Sequence, residues 1–308
     1  MMNKQQFKEY QRIIKTIKSS SEKQIGKEYL KAMQSIKLEI ANLFEKYGER
    51  GIVRHEVMQK YNRLAALEKR IIDHINSLTN LQIKYTKNAI LDIYKKSYYY
   101  QGYVVETLAG FSMYTMINPA VLDSIVFNDM DAIKWDERTK ENNKLLIRQL
   151  KETLLSGLVQ GHSYQKMAQA VNEKLNIGQS KAIRIVQTET HRSSQMANLN
   201  SMKHAVSKGV IMKKMWLATL SNKTRDTHRH LDGQTVSVDE PFVSKSGAKA
   251  QSPGRFGRAE EDINCRCDMI SVFDGIEPSV RKAKNPHTGK NEMIKYQTFT
   301  EWEKNLAS

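Results

Sequence analysis

A single proline, Pro119, falls within the first 150 residues, and glycines are few there. A stretch of that length without helix breakers, with apolar residues spaced three and four apart, folds into long amphipathic helices. One series runs Leu30, Met33, Ile36, Ile40, Leu43, Phe44 and Tyr47. Gly48 and Gly51 punctuate it. A second runs Val57, Tyr61, Leu64, Leu67, Ile71, Ile75, Leu78 and Leu81. Charged and polar residues fill the spaces, so each helix hides one stripe. A plain helical hairpin or bundle gives this pattern, and so does a helical arm that docks on a partner.

Residues 85–117 then concentrate tyrosine (Tyr85, Tyr94, Tyr98, Tyr99, Tyr100, Tyr103, Tyr114) beside Lys84, Lys87, Lys95 and Lys96. Such a mixture can stack on bases and hold phosphates, serve as an aromatic patch for another protein, or simply pack with its hydroxyls outward. Ile117-Asn118-Pro119 breaks the helix, and Asn128 to Asp136 reads as a connection anchored by Trp135. A helix is predicted from about Asp136 to Val159, ended by Gly161. Ser163 caps the next, which carries Met167, Val171 and Leu175 on one face. Asn176-Ile177-Gly178 reads as a turn. Ser180 then caps a long helix to about Lys208, closed by Gly209.

The pattern changes at Gly209. Ile211 to Leu220 is apolar and β-prone, Thr235 to Val238 alternates as a short strand does, and Cys267 to Phe273 is a third candidate strand. The expected fold is therefore a mainly α N-terminal region of long amphipathic helices with a small α+β C-terminal domain. The expected division is a helical region over 1–135, a domain of helices followed by a small α+β unit over 136–275, and a polar, basic tail over 276–308, within which Trp302 argues for some order.

The net charge of +16 over 308 residues, with a pI of about 9.6, favours a polyanionic partner: nucleic acid, an anionic surface or an acidic protein. Apolar stretches such as Tyr103 to Pro119 are interrupted and fall short of the about 20 residues that span a bilayer, so no membrane partner is expected. The N-terminus has no signal-peptide core. Cys265 and Cys267 are separated by one residue, too close for an unstrained disulfide, which suits a reducing cytoplasm.

The most informative residues lie between Trp216 and Cys267. Trp216-Leu217-Ala218 is followed by Thr224-Arg225-Asp226-Thr227-His228-Arg229-His230-Leu231-Asp232-Gly233. Val238-Asp239-Glu240-Pro241-Phe242, a glycine-containing loop and Asn264-Cys265-Arg266-Cys267 complete the segment. On an extended strand Cys265 and Cys267 share a face, with Arg266 turned away. Both sulfurs can then meet one ion. A short helix capped by Ser221 or Thr224 and ended by Gly233 would put His228 and Asp232 on one face. A tetrahedral zinc site follows, with His228, Cys265 and Cys267 as ligands and His230 or Asp226 as the fourth. Cys-x-Cys is an unusual zinc spacing, and the alternative stands that the cysteines pack as small apolar side chains while the histidines face water. Asp232-Gly233 reads as a turn in which Asp232 bonds to backbone. Asp239-Glu240 reads as a strand end beside an anchored Phe242. Lys245, Lys249, Arg255 and Arg258, with Gly247, Gly254 and Gly257, make a loop that either contacts nucleic-acid phosphate or is simply solvated. It lacks the Walker A order, so an NTPase is not expected.

These four blocks, in this order, resemble the C-terminal signature of the phage Mu F-like head morphogenesis family of tailed bacteriophages. The carrying residues are Trp216, Thr224, Arg225, His228, Leu231, Asp232, Gly233, Asn264, Cys265 and Cys267. Thr188-Glu189-Thr190-His191-Arg192 resembles the family's preceding Thr-Glu-x-x-Arg helix. The match covers roughly residues 150–270. The resemblance implies a non-enzymatic minor structural protein of a phage head, in few copies, working with the portal protein and other capsid or scaffold proteins and lying beside packaged double-stranded DNA. Some such proteins leave the head with the DNA. Location inside the virion, and in the host cytoplasm during assembly, follows. Two rivals carry different expectations: a metal-dependent nuclease that uses His228, and a general nucleic-acid-binding module with no capsid partner.

Overall fold

The computed structural model describes residues 4–117, 122, 126, 134–274, 278–285, 288 and 290–307. Pro119, most of the expected 128–136 connection and His287 lie outside them. The described chain is helical first and mixed afterwards. It runs α1 (Lys4–Tyr47), α2 (His55–Gln59), a 3-10 turn (Lys60–Asn62), α3 (Arg63–Ala109), α4 (Trp135–Val159) and α5 (Tyr164–Ser207). Then follow β1 (Lys213–Leu217), α6 (Asp226–Arg229), β2 (Thr235–Ser237), β3 (Phe242–Val243), β4 (Lys249–Ala250), α7 (Ala259–Asp262), β5 (Asp268–Val272), β6 (Val280–Lys284), β7 (Asn291–Lys295) and α8 (Phe299–Ala307). This is the expected class, long helices followed by small antiparallel sheets.

The chain divides into two compact units. One comprises 17–89 and 133–187. Its core is the stripe read from the periodicity: Ile36, Ile40, Leu43, Leu67, Ile71, Ile75 and Leu78 meet Leu146, Leu150, Leu154, Met167, Val171 and Leu175. The other comprises 1–16, 90–132 and 188–308. Its core gathers Trp216, Leu231, Phe242, Cys265, Cys267, Met269, Phe299 and Trp302.

Two local readings differ from the structure. Asn176-Ile177-Gly178 is no turn, because α5 passes through it, and Ser180 donates back to the carbonyl of Asn176 within the helix. Glycine serves there for close approach. A Cβ on Gly178 would stand 3.0 Å from Leu146 Cδ2 and 3.2 Å from Tyr29 Cε1. The stretch after 276, expected as a polar tail, holds the β6–β7 hairpin and α8, with Phe299 and Trp302 buried.

The three candidate strands form one antiparallel sheet in the order β2-β1-β5. Trp216 of β1 pairs with Met269 of β5, and Met215 with Thr235 of β2. Alternation along β1 buries Lys214 and Trp216 on one face. Lys214 survives there because its ammonium donates to the Gln251 carbonyl (2.9 Å) and side-chain Oε1 (3.1 Å) and lies over the Phe242 ring. Burial still draws its pKa down to about 8.

Candidate metal centre and its frame

Leu217 of β1 pairs with Asp268, which brings the Cys265–Cys267 segment alongside the chain that leads from β1 into α6. Asn264 turns this segment. Its φ of +60° is a left-handed conformation that asparagine tolerates better than most residues. Arg225 braces the turn from the other side, donating to the carbonyls of Glu261 and Ile263. Both thiols point inward and are buried, and Arg266 is exposed.

His228, on α6, meets them. Its Nδ1 lies 3.3 Å from Cys267 Sγ and 3.7 Å from Cys265 Sγ. One ligand atom from each residue falls within 4.8 Å of the others, and all three residues are buried. On the far side of the ring, Glu261 Oε2 lies 3.0 Å from Nε2, too oblique to form a hydrogen bond. Glu261 is held in turn by Thr227 Oγ1 at 2.8 Å. The order carboxylate, imidazole, sulfur sets a carboxylate beside the second ring nitrogen, where a metal-binding histidine commonly has one, though no hydrogen bond joins them here. The charges are arranged to match. A hydrogen bond with Cys267 draws the Cys265 thiol well below its ordinary range against the effect of burial, and His191 and His228 add to the lowering. Burial and the neighbouring Cys265 push Cys267 upward. Burial lowers the His228 pKa, but Cys265 and Glu261 outweigh it and leave the group above its usual value.

The other residues singled out in the sequence are placed as follows. His230 is exposed, its Nδ1 2.7 Å from the Asp226 carbonyl, away from the sulfurs, and Asp226 is exposed as well. Asp232 does not share a face with His228. Its carboxylate accepts from the backbone N–H groups of Ala218 (2.8 Å) and Phe299 (2.7 Å) and from Arg281. Gly233 has φ +79° and donates to the Trp216 carbonyl. Thr224 donates to the Thr219 carbonyl, and Leu231 is fully buried. Phe242 packs edge-on to Trp216, 5.2 Å between ring centres, and Trp216 packs edge-on to His228. Lys245 and Lys249 are exposed around the β3–β4 hairpin, and Arg258 is exposed before α7. Arg255 is half-buried and turned onto Met196 Sδ. Of the tyrosines, Tyr94, Tyr98 and Tyr114 pack ring against ring, and Tyr100 stacks on Tyr10 at 3.8 Å.

What the sequence reading missed is that the second half of α5 is buried. Residues 188–197 are buried on all sides although they read Thr-Glu-Thr-His-Arg-Ser-Ser-Gln-Met-Ala. Arg192 donates to the Gly254 carbonyl (2.9 Å) and pairs with Asp262 (3.2 Å) and Glu189 (3.2 Å). Ser193 donates to the Ile90 carbonyl, and Ser194 meets Ser97 and Tyr10. Gln195 clamps β5, donating to Asp268 and accepting from the Met269 N–H. The signal was present: an uninterrupted polar run inside a helix with no apolar face of its own.

Comparison with known proteins places this frame. The family described as "Phage Mu protein F like protein" matches residues 148–270. The chain is 31% identical over 305 residues to the minor head protein GP7 of Bacillus phage SPP1, covering 99% of this chain and 98% of that one. It is 31% identical over 237 residues to an NAD(+)--arginine ADP-ribosyltransferase EFV of Enterococcus faecalis, covering 75% of this chain and 48% of that protein. An uncharacterized protein of Haemophilus influenzae is 34% identical over 92 residues, 30% of this chain and 17% of that one. No solved structure matches.

Proposed function

The chain belongs to the phage Mu F-like family, and from that premise we propose that it is a minor structural protein of a bacteriophage head, working in capsid assembly at or near the portal and lying against packaged DNA. The observation that carries this reading is the similarity to a minor head protein along nearly the full length of both chains. A structural role also suits two buried carboxylates of the matched segment, Asp232 and Asp262, each engaged in holding the fold. Asp232 is tied to Arg281 and two backbone N–H groups. Asp262 is tied to Arg192 and the N–H groups of Phe256 and Gly257. Neither is free to act as a general acid or base, which suits a role that needs no catalysis.

The partners are the portal and other capsid or scaffold proteins, and the site of action is the inside of the head after assembly in the host cytoplasm. Among the described residues no helix is long and apolar enough to cross a membrane. The charge of +16 and the exposed Lys245, Lys249 and Arg258 suit contact with DNA phosphate, which weakens steeply with salt. Two sulfurs and an imidazole are a donor set that favours zinc, and the residues that would hold it are His228 through Nδ1, Cys265 and Cys267. Zinc would knit α6 to the turn before β5, where the sheet alone offers few residues of core.

Fractionation of an infected culture tests the head assignment. The protein is expected in proheads at low copy relative to the major capsid protein. Its absence from both proheads and mature particles would sink the proposal.

A further inference from the structure

The polar run on α5 contains one misfit. Glu189, Arg192, Ser193, Ser194 and Gln195 all find partners. His191 is 9% exposed, yet its Nε2 is sealed from solvent and has no hydrogen-bond partner. Buried polar atoms are nearly always satisfied, so an orphan of this kind points to something it is built to meet. The ring stands beside Cys265, and hydrogen bonding and charge from His191 help hold that thiol low, while Nε2 itself has no partner.

The frame around His191 keeps it there. Gly254, at φ +77°, lets the loop before α7 close over the helix. A Cβ at that position would stand 3.5 Å from His191 Cδ2 and 3.2 Å from Arg192 Cγ. Arg192 fastens the same loop through the Gly254 carbonyl. The imidazole is thus pinned between its helix and a loop, on the Cys265 side of a triad that offers three donors.

We propose that His191 is the fourth ligand of the centre, so that a zinc ion is enclosed by His191, His228, Cys265 and Cys267 with no coordination position left for water. Tetrahedral zinc takes four ligands in structural sites, and catalytic sites leave one for water. The distinction matters here because a cavity of about 590 Å³ is lined in part by His228, Cys265 and Cys267. With three protein ligands the fourth position would open towards that cavity and could carry a reactive water. With His191 in place the ion is a clasp that ties α5, α6 and the turn before β5 together. His191 lies outside the group whose donors already fall within 4.8 Å, so the assignment requires a small closure of the site around the ion. The inference rests on the three-donor reading and goes one ligand beyond it.

Zinc content and X-ray absorption of the full chain decide the matter. Purified wild type is expected to hold one zinc, with a first shell of two sulfurs and two nitrogens. The His191→Gln variant is expected to exchange one nitrogen for oxygen and to lose affinity for zinc by at least about tenfold in competition with a chromophoric chelator, while His230→Ala changes neither. A wild-type shell of two sulfurs, one nitrogen and one oxygen overturns the His191 assignment and leaves the three-donor reading standing. So does a two-nitrogen shell that persists in His191→Gln. Wild type that takes up no zinc overturns both. The wild-type spectrum is decisive even if the variant fails to fold.

Discussion

Asp232 and Arg281 meet in a two-point ion pair, Nη1 to Oδ2 at 3.0 Å and Nη2 to Oδ1 at 2.8 Å, with both side chains almost wholly removed from water. Asp232 sits in the turn after α6, inside the matched segment 148–270, and Arg281 lies on β6, beyond it. The pair therefore ties the β6–β7 hairpin and α8 to the sheet. Arg281 also donates to the carbonyls of Ala218 and Gln297.

Removing one partner strands a buried charge. Arg281→Leu is expected to destabilise the protein by about 3–5 kcal/mol. Adding Asp232→Asn is expected to recover part of that, because the amide oxygen can still accept one of the two backbone hydrogen bonds. Urea unfolding of the three proteins checks this. An unchanged midpoint in Arg281→Leu would refute the role given to the pair.

Gly178 tests whether close helix approach, rather than a turn, explains that glycine. Gly178→Val places bulk against Leu146 and Tyr29 and is expected to cost about 1–3 kcal/mol. A helical glycine facing open space would accept valine without penalty, since valine is the better helix former. Thermal unfolding followed by circular dichroism distinguishes the two.

Asn264 holds its left-handed backbone at φ +60°. Asn264→Gly is expected to be tolerated, whereas Asn264→Val is expected to cost about 1–3 kcal/mol through backbone strain. Equal melting temperatures for the two variants would show that the turn can relax to another conformation.

Lys214 makes stability depend on pH. Burial lowers its pKa from 10.5 to about 8 in the folded chain. Between those values the unfolded chain binds the extra proton, so stability rises with pH across that window. Below about pH 8 the full cost of the buried charge is present. The difference in unfolding free energy between wild type and Lys214→Met is expected to move in favour of wild type by up to about 3 kcal/mol from pH 7.5 to 10.5. Chemical denaturation at both ends of the range measures it, and a difference that stays flat contradicts the assignment.

The long helices were legible from a periodic stripe, such as Ile36, Ile40 and Leu43, and the three strands from β-prone or alternating runs, such as Thr235 to Val238. The pairing of His228 with both cysteines was legible from residue types and from the two-residue strand repeat. Gly178 was misread because glycine marks two different needs, a positive φ and a close contact, and a single sequence does not separate them. His191 was read only as a variable position of the Thr-Glu-x-x-Arg block, because a polar helical run normally faces water, whereas here Arg192 and Ser193 of the run meet Gly254 and Ile90, 62 and 103 residues away in the chain. The fold after residue 276 was hidden by its lysines, since Arg281, Phe299 and Trp302 reveal themselves only against Asp232 and the core they join.

Tyr10 donates to Ser97 and lies 3.3 Å from Ser194 Oγ, so three stretches far apart in the chain meet in one hydroxyl cluster. That cluster sets an order of events. The helical unit, residues 17–89 and 133–187, is complete in sequence before Ser194 and Trp302, which the other unit needs for its hydroxyl cluster and its core. Early folding of the helical unit brings residues 16 and 188 under the constraint of a folded body, which shortens the effective loop that Tyr10 must close. A destabilising change in the helices, far from His228 in sequence, would then appear as slow completion of the unit that holds His228 and the cysteines rather than as a defect in the finished protein.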